Sequence, residues 1–255
     1  MSNIVCQTTQ IYQTSYNLLH ENSAGLSLFK IKLSSYYDLV PELKLFLNTS
    51  EMQRAQKYHF DKDRNQFIIC RSLLKFILAK YLKCDVSEIK IEIHINKKPY
   101  ISSNKNIYFN LSHSKDFAII ALNNSDVGID IEYLSKDLEF LEMMPSIYSD
   151  IEIKTVLNAP NKTHAFYNFW TRKESIVKAT GQGISDYLPQ IPALEGSHIV
   201  DSKLVNGIKS LNVLSFKLND DYIASLALSN ENSNLDALKV YNLPNTIESL
   251  KFFSS

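Results

Sequence analysis

The chain has 255 residues, 45% of them hydrophobic and 21% charged, with 27 basic residues against 27 acidic ones. That length suits one large domain or two closely packed smaller ones with a substantial core. The balanced charge supplies no overall field for nucleic acid or an anionic membrane, so neither is expected as a partner, although a local basic cluster can still hold phosphates. Cys6, Cys70 and Cys84 have no metal or disulfide spacing and read as reduced, mostly buried thiols. The first residues, MSNIVCQTTQIYQTSYNLL, lack a basic segment followed by an apolar run, and no apolar run approaches the roughly 20 residues that span a bilayer. A soluble, cytoplasmic, monomeric protein is expected.

In chain order, LSLFKIKL at 26–33 alternates as a strand. Ser50 and Gln53 have capping-box spacing, so a helix is expected to start there. The stretch 63–82 puts Phe67, Cys70, Leu74, Ile77, Leu78 and Tyr81 on one helical face. Arg71 interrupts this apolar helix and reads as a buried anchor, whereas Lys75 reads as solvated. Short strands follow at 89–95, 107–114, 117–122 and 127–134, the middle two joined through Lys115-Asp116 as a hairpin. A helix then carries NFWTRKESIVKAT from 168 to 180, and Gly181 is placed to end it. Strands at 211–219 and 222–229 form a second hairpin through Asp220-Asp221. FAIIAL near 117 and IASLAL near 223 resemble each other, and each follows a long helix. Helix then hairpin, twice, predicts two similar α+β halves, residues 1–123 and 124–255, with a ligand cleft between them.

Four stretches carry side chains suited to chemistry. In GIDIE at 128–132, strand alternation points Asp130 and Glu132 to one face and Ile129 and Ile131 to the other. Paired carboxylates repel unless a cation lies between them. A hard ion such as Mg²⁺ takes oxygen ligands, so two carboxylates and a substrate phosphate suit it. On the long helix, Phe169, Trp170, Lys173, Glu174, Val177, Lys178 and Gly181 share one stripe. Glu174 and Lys178 alone read as a surface i,i+4 pair. With Phe169 and Trp170 beside them the face reads as buried, and the Glu and both Lys then need partners: a metal for Glu174 and phosphates for the lysines. In FNLSHS at 109–114, Ser112 and His113 point apart, which excludes a Ser–His nucleophile, and no G-x-S-x-G elbow is present. Basic residues recur at Arg54, Lys57, Arg64, Lys97 and Lys98.

Together, KPY at 98–100, FNLSHS at 109–114, GIDIE at 128–132 and FWTRKESIVKATGQGI at 169–184 resemble the 4'-phosphopantetheinyl transferases, in the surfactin-synthetase-activating subgroup. The weaker DRNQFIICRSLLK at 63–75 looks like that family's Arg-rich first helix, and the likeness spans about residues 26–230. It implies two pseudo-symmetric α+β halves with coenzyme A in the cleft. It implies Mg²⁺-dependent transfer of 4'-phosphopantetheine from coenzyme A to a serine of an apo acyl or peptidyl carrier protein, releasing adenosine 3',5'-bisphosphate. The lean is toward carriers of polyketide or nonribosomal peptide synthases. Asp130, Glu132 and Glu174 match metal ligands, and Glu174 also matches the general base. Lys178 matches the lysine on the pyrophosphate. Lys98, Ser112 and His113 match coenzyme A contacts, and Arg54, Lys57 and Arg64 fall at the 3'-phosphate end. Whether Glu174 takes the serine proton or orders the water that does so stays open. Ser175 and Ile184 depart from the Ala and Leu common at those places, and neither is expected to touch the chemistry. The competing readings are a non-catalytic coenzyme A or carrier-binding module and a metal-dependent phosphoesterase.

Overall fold

The computed structural model describes residues 1–15, 25–102, 106–137, 139–183, 187–229 and 237–254. The chain opens with β1 (Ser2–Thr8), β2 (Gln10–Ser15) and β3 (Ser27–Lys32), followed by α1 (Val40–Leu43), α2 (Thr49–Gln56) and the long α3 (Asp61–Leu82). Next come β4 (Glu92–Ile93), β5 (Pro99–Tyr100), β6 (Tyr108–Ser114), β7 (Phe117–Asn123) and β8 (Val127–Tyr133). Helices α4 (Met144–Ile147), α5 (Asp150–Asn158) and α6 (Lys162–Thr180) precede β9 (Gly196–Val200), β10 (Ser210–Asn219), β11 (Tyr222–Leu228), β12 (Ala237–Asn242) and α7 (Ile247–Ser254).

Two five-stranded sheets result, ordered β2-β12-β3-β7-β6 and β8-β11-β10-β1-β9. In the first, β3 pairs antiparallel with β7 and β7 with β6. In the second, β8 pairs antiparallel with β11 and β11 with β10. Each half therefore repeats strand, long helix and hairpin, with the hairpin's second strand laid beside the opening strand. The repeat expected from FAIIAL and IASLAL is this one. Strand residues point alternately to two faces, and here both faces are covered. Phe29, Ile31 and Ile120 pack with α3, Leu28 and Ile119 pack toward the second sheet, and Leu211, Val213 and Ala227 pack with α6. Leu28, Ile119, Ala121, Ile129, Ile131, Leu214 and Leu226 form the layer shared by the two sheets.

The termini cross between the halves. β1 pairs parallel with β10 and antiparallel with β9, inside the second sheet. β12 pairs parallel with both β2 and β3, inside the first, and α7 adds Leu250 and Phe253 to the first core. The sheets thus do not divide at one point near residue 123.

Three local expectations are corrected. α2 is capped not by Ser50 and Gln53 but by Asn48, whose Oδ1 accepts from the Glu51 amide (2.9 Å) while Glu51 Oε2 accepts from the Asn48 amide (2.9 Å). The Asn side chain is the better cap because it reaches the N3 amide from a residue in extended conformation. The strand expected over 89–95 shortens to Glu92–Ile93, because its alternation runs off the body: Ile89 is buried, whereas Ile95 is fully exposed. Lys75, expected in solvent, is buried and offsets its charge with the Phe46 carbonyl (2.6 Å) and Glu51 (3.6 Å). A buried ammonium needs such partners.

Candidate active site

β6 joins the first half to the second, because it lies against β8 by side-chain to backbone bonds. Asn110 Oδ1 accepts from the Ile129 amide (2.8 Å), and Ser114 Oγ accepts from the Tyr133 amide (3.1 Å). Alternation then sends Ser112 and Ser114 toward β8, while Leu111 and His113 face the other way.

Asp130 and Glu132 point out of β8 toward that seam while Ile129 and Ile131 are wholly buried behind them. Ser112 Oγ donates to Asp130 Oδ1 (2.8 Å), and Ser114 Oγ donates to Glu132 Oε2 (2.9 Å). α6 closes the site from above. Trp170 Nε1 donates to Glu132 Oε1 (3.3 Å), and Lys178 Nζ reaches both Asp130 Oδ1 (2.5 Å) and Ser112 Oγ (3.0 Å). Trp170, expected as a buried anchor, is half-buried and serves through this bond. The Glu174 carboxyl is buried beside them.

The helix sits this close because of Gly128. A Cβ there would lie 2.0 Å from the Ser175 carbonyl oxygen and 2.4 Å from the Ala179 amide nitrogen. Only a bare backbone lets α6 rest on β8, and that contact sets Glu174 and Lys178 over Asp130. Gly181 ends the helix as expected, with φ at +70°, a region costly for other residues. Ile184 lies outside the described residues.

The electrostatics are those of crowded acids. Burial raises the pKa of Asp130, offset in part by Lys178. Burial and then the Asp130 charge raise that of Glu132. Burial, followed by the Asp130 charge, pushes Glu174 up to about 7. Asp130 Oδ2 and Glu174 Oε1 are buried with no hydrogen-bond partner among the described residues. Among those residues no ready-made cluster of three or more His, Cys, Asp or Glu is held at metal-binding distance. The donor set still fits a hard divalent cation. It is all oxygen, two of its buried oxygens lack partners, and Lys178 already supplies one positive charge at Asp130.

Behind β6, a cavity of about 310 Å³ is lined by Arg54, Tyr58, Phe67, Arg71, Lys97 and His113, among others. Arg54 and Arg71 both lie against the Phe67 ring, 5.2 and 5.7 Å from its centroid, a favourable cation–π geometry. Arg71 is the anchor expected from its place in an apolar helix, yet its Nη1 is buried without a hydrogen-bond partner among the described residues. His113 keeps an exposed edge, but desolvation by the surrounding cavity wall, and then the nearby Lys178 charge, hold it below the ordinary imidazole range.

The expected contact residues thus separate. Arg54 and His113 reach the cavity, and Ser112 reaches the carboxylates. Arg64 instead pairs with Asp61 (2.7 Å), and exposed Lys57 is not part of the cavity lining. Lys98 Nζ bonds Asp126 (3.0 Å) and the Ala179 carbonyl (2.6 Å). Lys173, expected to meet phosphate, is fully buried on the far side of α6 and pairs with Glu152 (2.9 Å) and the carbonyls of Leu188 and Ile191. α6 is enclosed on most sides, so the apolar stripe did not separate the site face from the core face. Arg71 and Lys97 are lining residues absent from the expected contacts.

Residues 126–227 match the 4'-phosphopantetheinyl transferase superfamily, and residues 40–125 match the N-terminal region of the 4'-phosphopantetheinyl transferases. The chain is 32% identical over 169 residues to the 4'-phosphopantetheinyl transferase HetI of Nostoc sp., covering 64% of this chain and 71% of that protein. It is 29% identical over 168 residues to the 4'-phosphopantetheinyl transferase psf-1 of Bacillus pumilus, covering 63% and 71%. It is 27% identical over 142 residues to the 4'-phosphopantetheinyl transferase Sfp of Bacillus subtilis, covering 55% and 62%. The chain belongs to the 4'-phosphopantetheinyl transferase superfamily and is a transferase.

Proposed function

We propose that the protein transfers 4'-phosphopantetheine from coenzyme A to a serine hydroxyl of an apo carrier protein, with Mg²⁺, releasing adenosine 3',5'-bisphosphate. The observation that carries this reading is the seam between β6, β8 and α6, where Asp130, Glu132, Glu174 and Lys178 meet beside a basic cavity. Coenzyme A joins a pyrophosphate to a 3'-phosphorylated nucleoside. The cavity suits the nucleotide, with Arg54, Arg71, Lys97 and His113 as the cationic and hydrogen-bonding groups. The carboxylate seam suits the pyrophosphate.

Asp130, Glu132 and Glu174 would hold the metal, which when bound supplies positive charge against the pyrophosphate oxygens. Lys178, already anchored by Asp130 and Ser112, sits ready to neutralise charge that builds on the transferring phosphate. Ser114 and Trp170 fix the Glu132 carboxylate. The carrier hydroxyl needs a base within hydrogen-bond reach. Glu174, whose carboxyl is raised to about 7 in the metal-free protein and whose Oε1 has no hydrogen-bond partner among the described residues, is that base or orients the water that acts for it.

The same reading places the protein in the surfactin-synthetase-activating subgroup, priming carriers of polyketide or nonribosomal peptide synthases. A cytoplasmic monomer belongs with it. All three thiols are free, and no described helix is long and apolar enough to cross a membrane. Incubating the protein with coenzyme A, Mg²⁺ and several apo carriers, then measuring intact mass, tests the reaction. One added phosphopantetheine on a carrier is expected, with secondary-metabolism carriers accepted. No gain on any carrier overturns the reading.

A further inference from the structure

We propose that Lys98 is a positioning residue: its ammonium clamps the β4–β5 hairpin, one wall of the cavity, to the C-terminal end of α6, the helix that carries Glu174 and Lys178. The inference rests on the transferase reading for its functional consequence, with the nucleotide of coenzyme A in that cavity.

The hairpin turns sharply between Ile93 and Pro99, with Lys97 in left-handed conformation at φ +66°. Ile93, Lys97 and Pro99 face the cavity. Lys98, one residue on, faces the opposite way. Its side chain is only 14% exposed, and Nζ donates to Asp126 Oδ1 (3.0 Å) and to the Ala179 carbonyl (2.6 Å). The Ala179 carbonyl is one of the last four of α6, which have no partner inside the helix. A cation there also meets the negative end of the helix dipole. The stem of Lys98 runs beside Gly181: a Cβ at that glycine would lie 3.4 Å from Lys98 Cδ and 2.5 Å from Asn96 Nδ2. The hairpin tip and the helix end are thus fitted to each other at a residue with no side chain.

Among the described residues the other ties of this hairpin are few: β5 lies against β6, and Ile91 leads into β4 from the first core. Its strands are two residues each. The bonds from the His94 amide to the Lys98 carbonyl and from the Lys97 amide to the His94 carbonyl stay within the turn. Ile93 and Ile95 are exposed rather than packed. Beyond the turn, the pair joins the body through Ile91 before β4 and buried Ile101 after β5. Two of the three ammonium protons of Lys98 are already committed to protein oxygens. Removing that group frees the tip, and Lys97 and Ile93 leave their places in the cavity wall. The same change takes the Lys98 partner from the Ala179 carbonyl, one residue past Lys178.

The test combines hydrogen–deuterium exchange of the protein without coenzyme A and steady-state kinetics of carrier modification, for the parent, Lys98→Met, Lys98→Arg and Asp126→Asn. In Lys98→Met, the peptide spanning 92–101 is expected to exchange about tenfold faster, and KM for coenzyme A to rise about tenfold while kcat changes less. Asp126→Asn shifts both in the same direction by less, and Lys98→Arg, which keeps the charge, falls between parent and Lys98→Met. Parent-like exchange in Lys98→Met with a raised KM overturns the clamp and makes Lys98 a direct ligand. Parent-like exchange and KM in Asp126→Asn also count against it, and this variant decides the matter if Lys98→Met does not fold. Should the parent not use coenzyme A at all, the transferase reading falls, while the exchange data still judge the clamp.

Discussion

At the residue scale Glu174 stands out because its surroundings disfavour its charge. Burial, Asp130 and Glu132 outweigh Lys178 and lift it to about 7. A carboxyl with a folded-state pKa above its unfolded value of about 4.5 stabilises the fold below that value and loses the contribution as pH rises through 7. One pH unit of displacement corresponds to about 1.4 kcal/mol. The metal-free protein is therefore expected to melt at a falling temperature between pH 5 and about 8. Glu174→Gln is expected to melt like the parent at pH 5 and several degrees higher at pH 8, and Mg²⁺ at pH 8 should raise the parent. Calorimetry across that range checks the sign, and a parent that gains stability relative to Glu174→Gln as pH rises would refute it. That Asp130 and Glu132 share one strand face, and Glu174 and Lys178 one helix face, was legible because strand alternation and i,i+4 spacing need no tertiary information; their meeting at one seam was expected only from the family resemblance, since the pairing of Lys178 with Asp130 depends on tertiary packing. Lys98 and Lys173 were not legible as structural lysines, since their partners Asp126, Ala179, Glu152 and Ile191 are set by packing between elements.

At the scale of elements, the site depends on how closely α6 approaches β8. Gly128 sets that distance, because a Cβ there meets the helix backbone itself rather than a flexible side chain. Gly128→Ala is expected to destabilise the fold by about 1–3 kcal/mol, the cost of overpacking. It should also lower kcat by displacing Lys178 from Asp130. Urea unfolding with activity measured on the folded fraction checks this; parent-like stability would show that the two elements do not bear on each other. The glycine was read only as part of GIDIE, since a close backbone approach leaves no periodic signal. α3, α6 and both hairpins were legible because their apolar spacing is long or their turns are short. The 89–95 run misled because alternating isoleucines mark a strand without showing how much of it is paired.

At the scale of the whole molecule, the chain closes on itself: β1 completes the second sheet and β12 with α7 completes the first. The alternation of Ile4 and Cys6 in β1 was available in the sequence, but seven residues give no sign of which sheet they join. The halves and their repeat were legible from the two hairpins; the exchange of end strands was not, because parallel pairing between residues 3–8 and 210–215 is purely long-range. What the closure achieves is a fixed seam between β6 and β8, with acids on one side and a basic cavity on the other. The account stands on that seam being a metal-dependent transfer site. The most direct measurement is carrier modification by intact mass, with and without Mg²⁺, for the parent and for Asp130→Ala and Glu174→Ala proteins verified as folded by circular dichroism. The parent should add one phosphopantetheine only with Mg²⁺, and both variants should add none. Modification by either variant at the parent rate would contradict the assigned site.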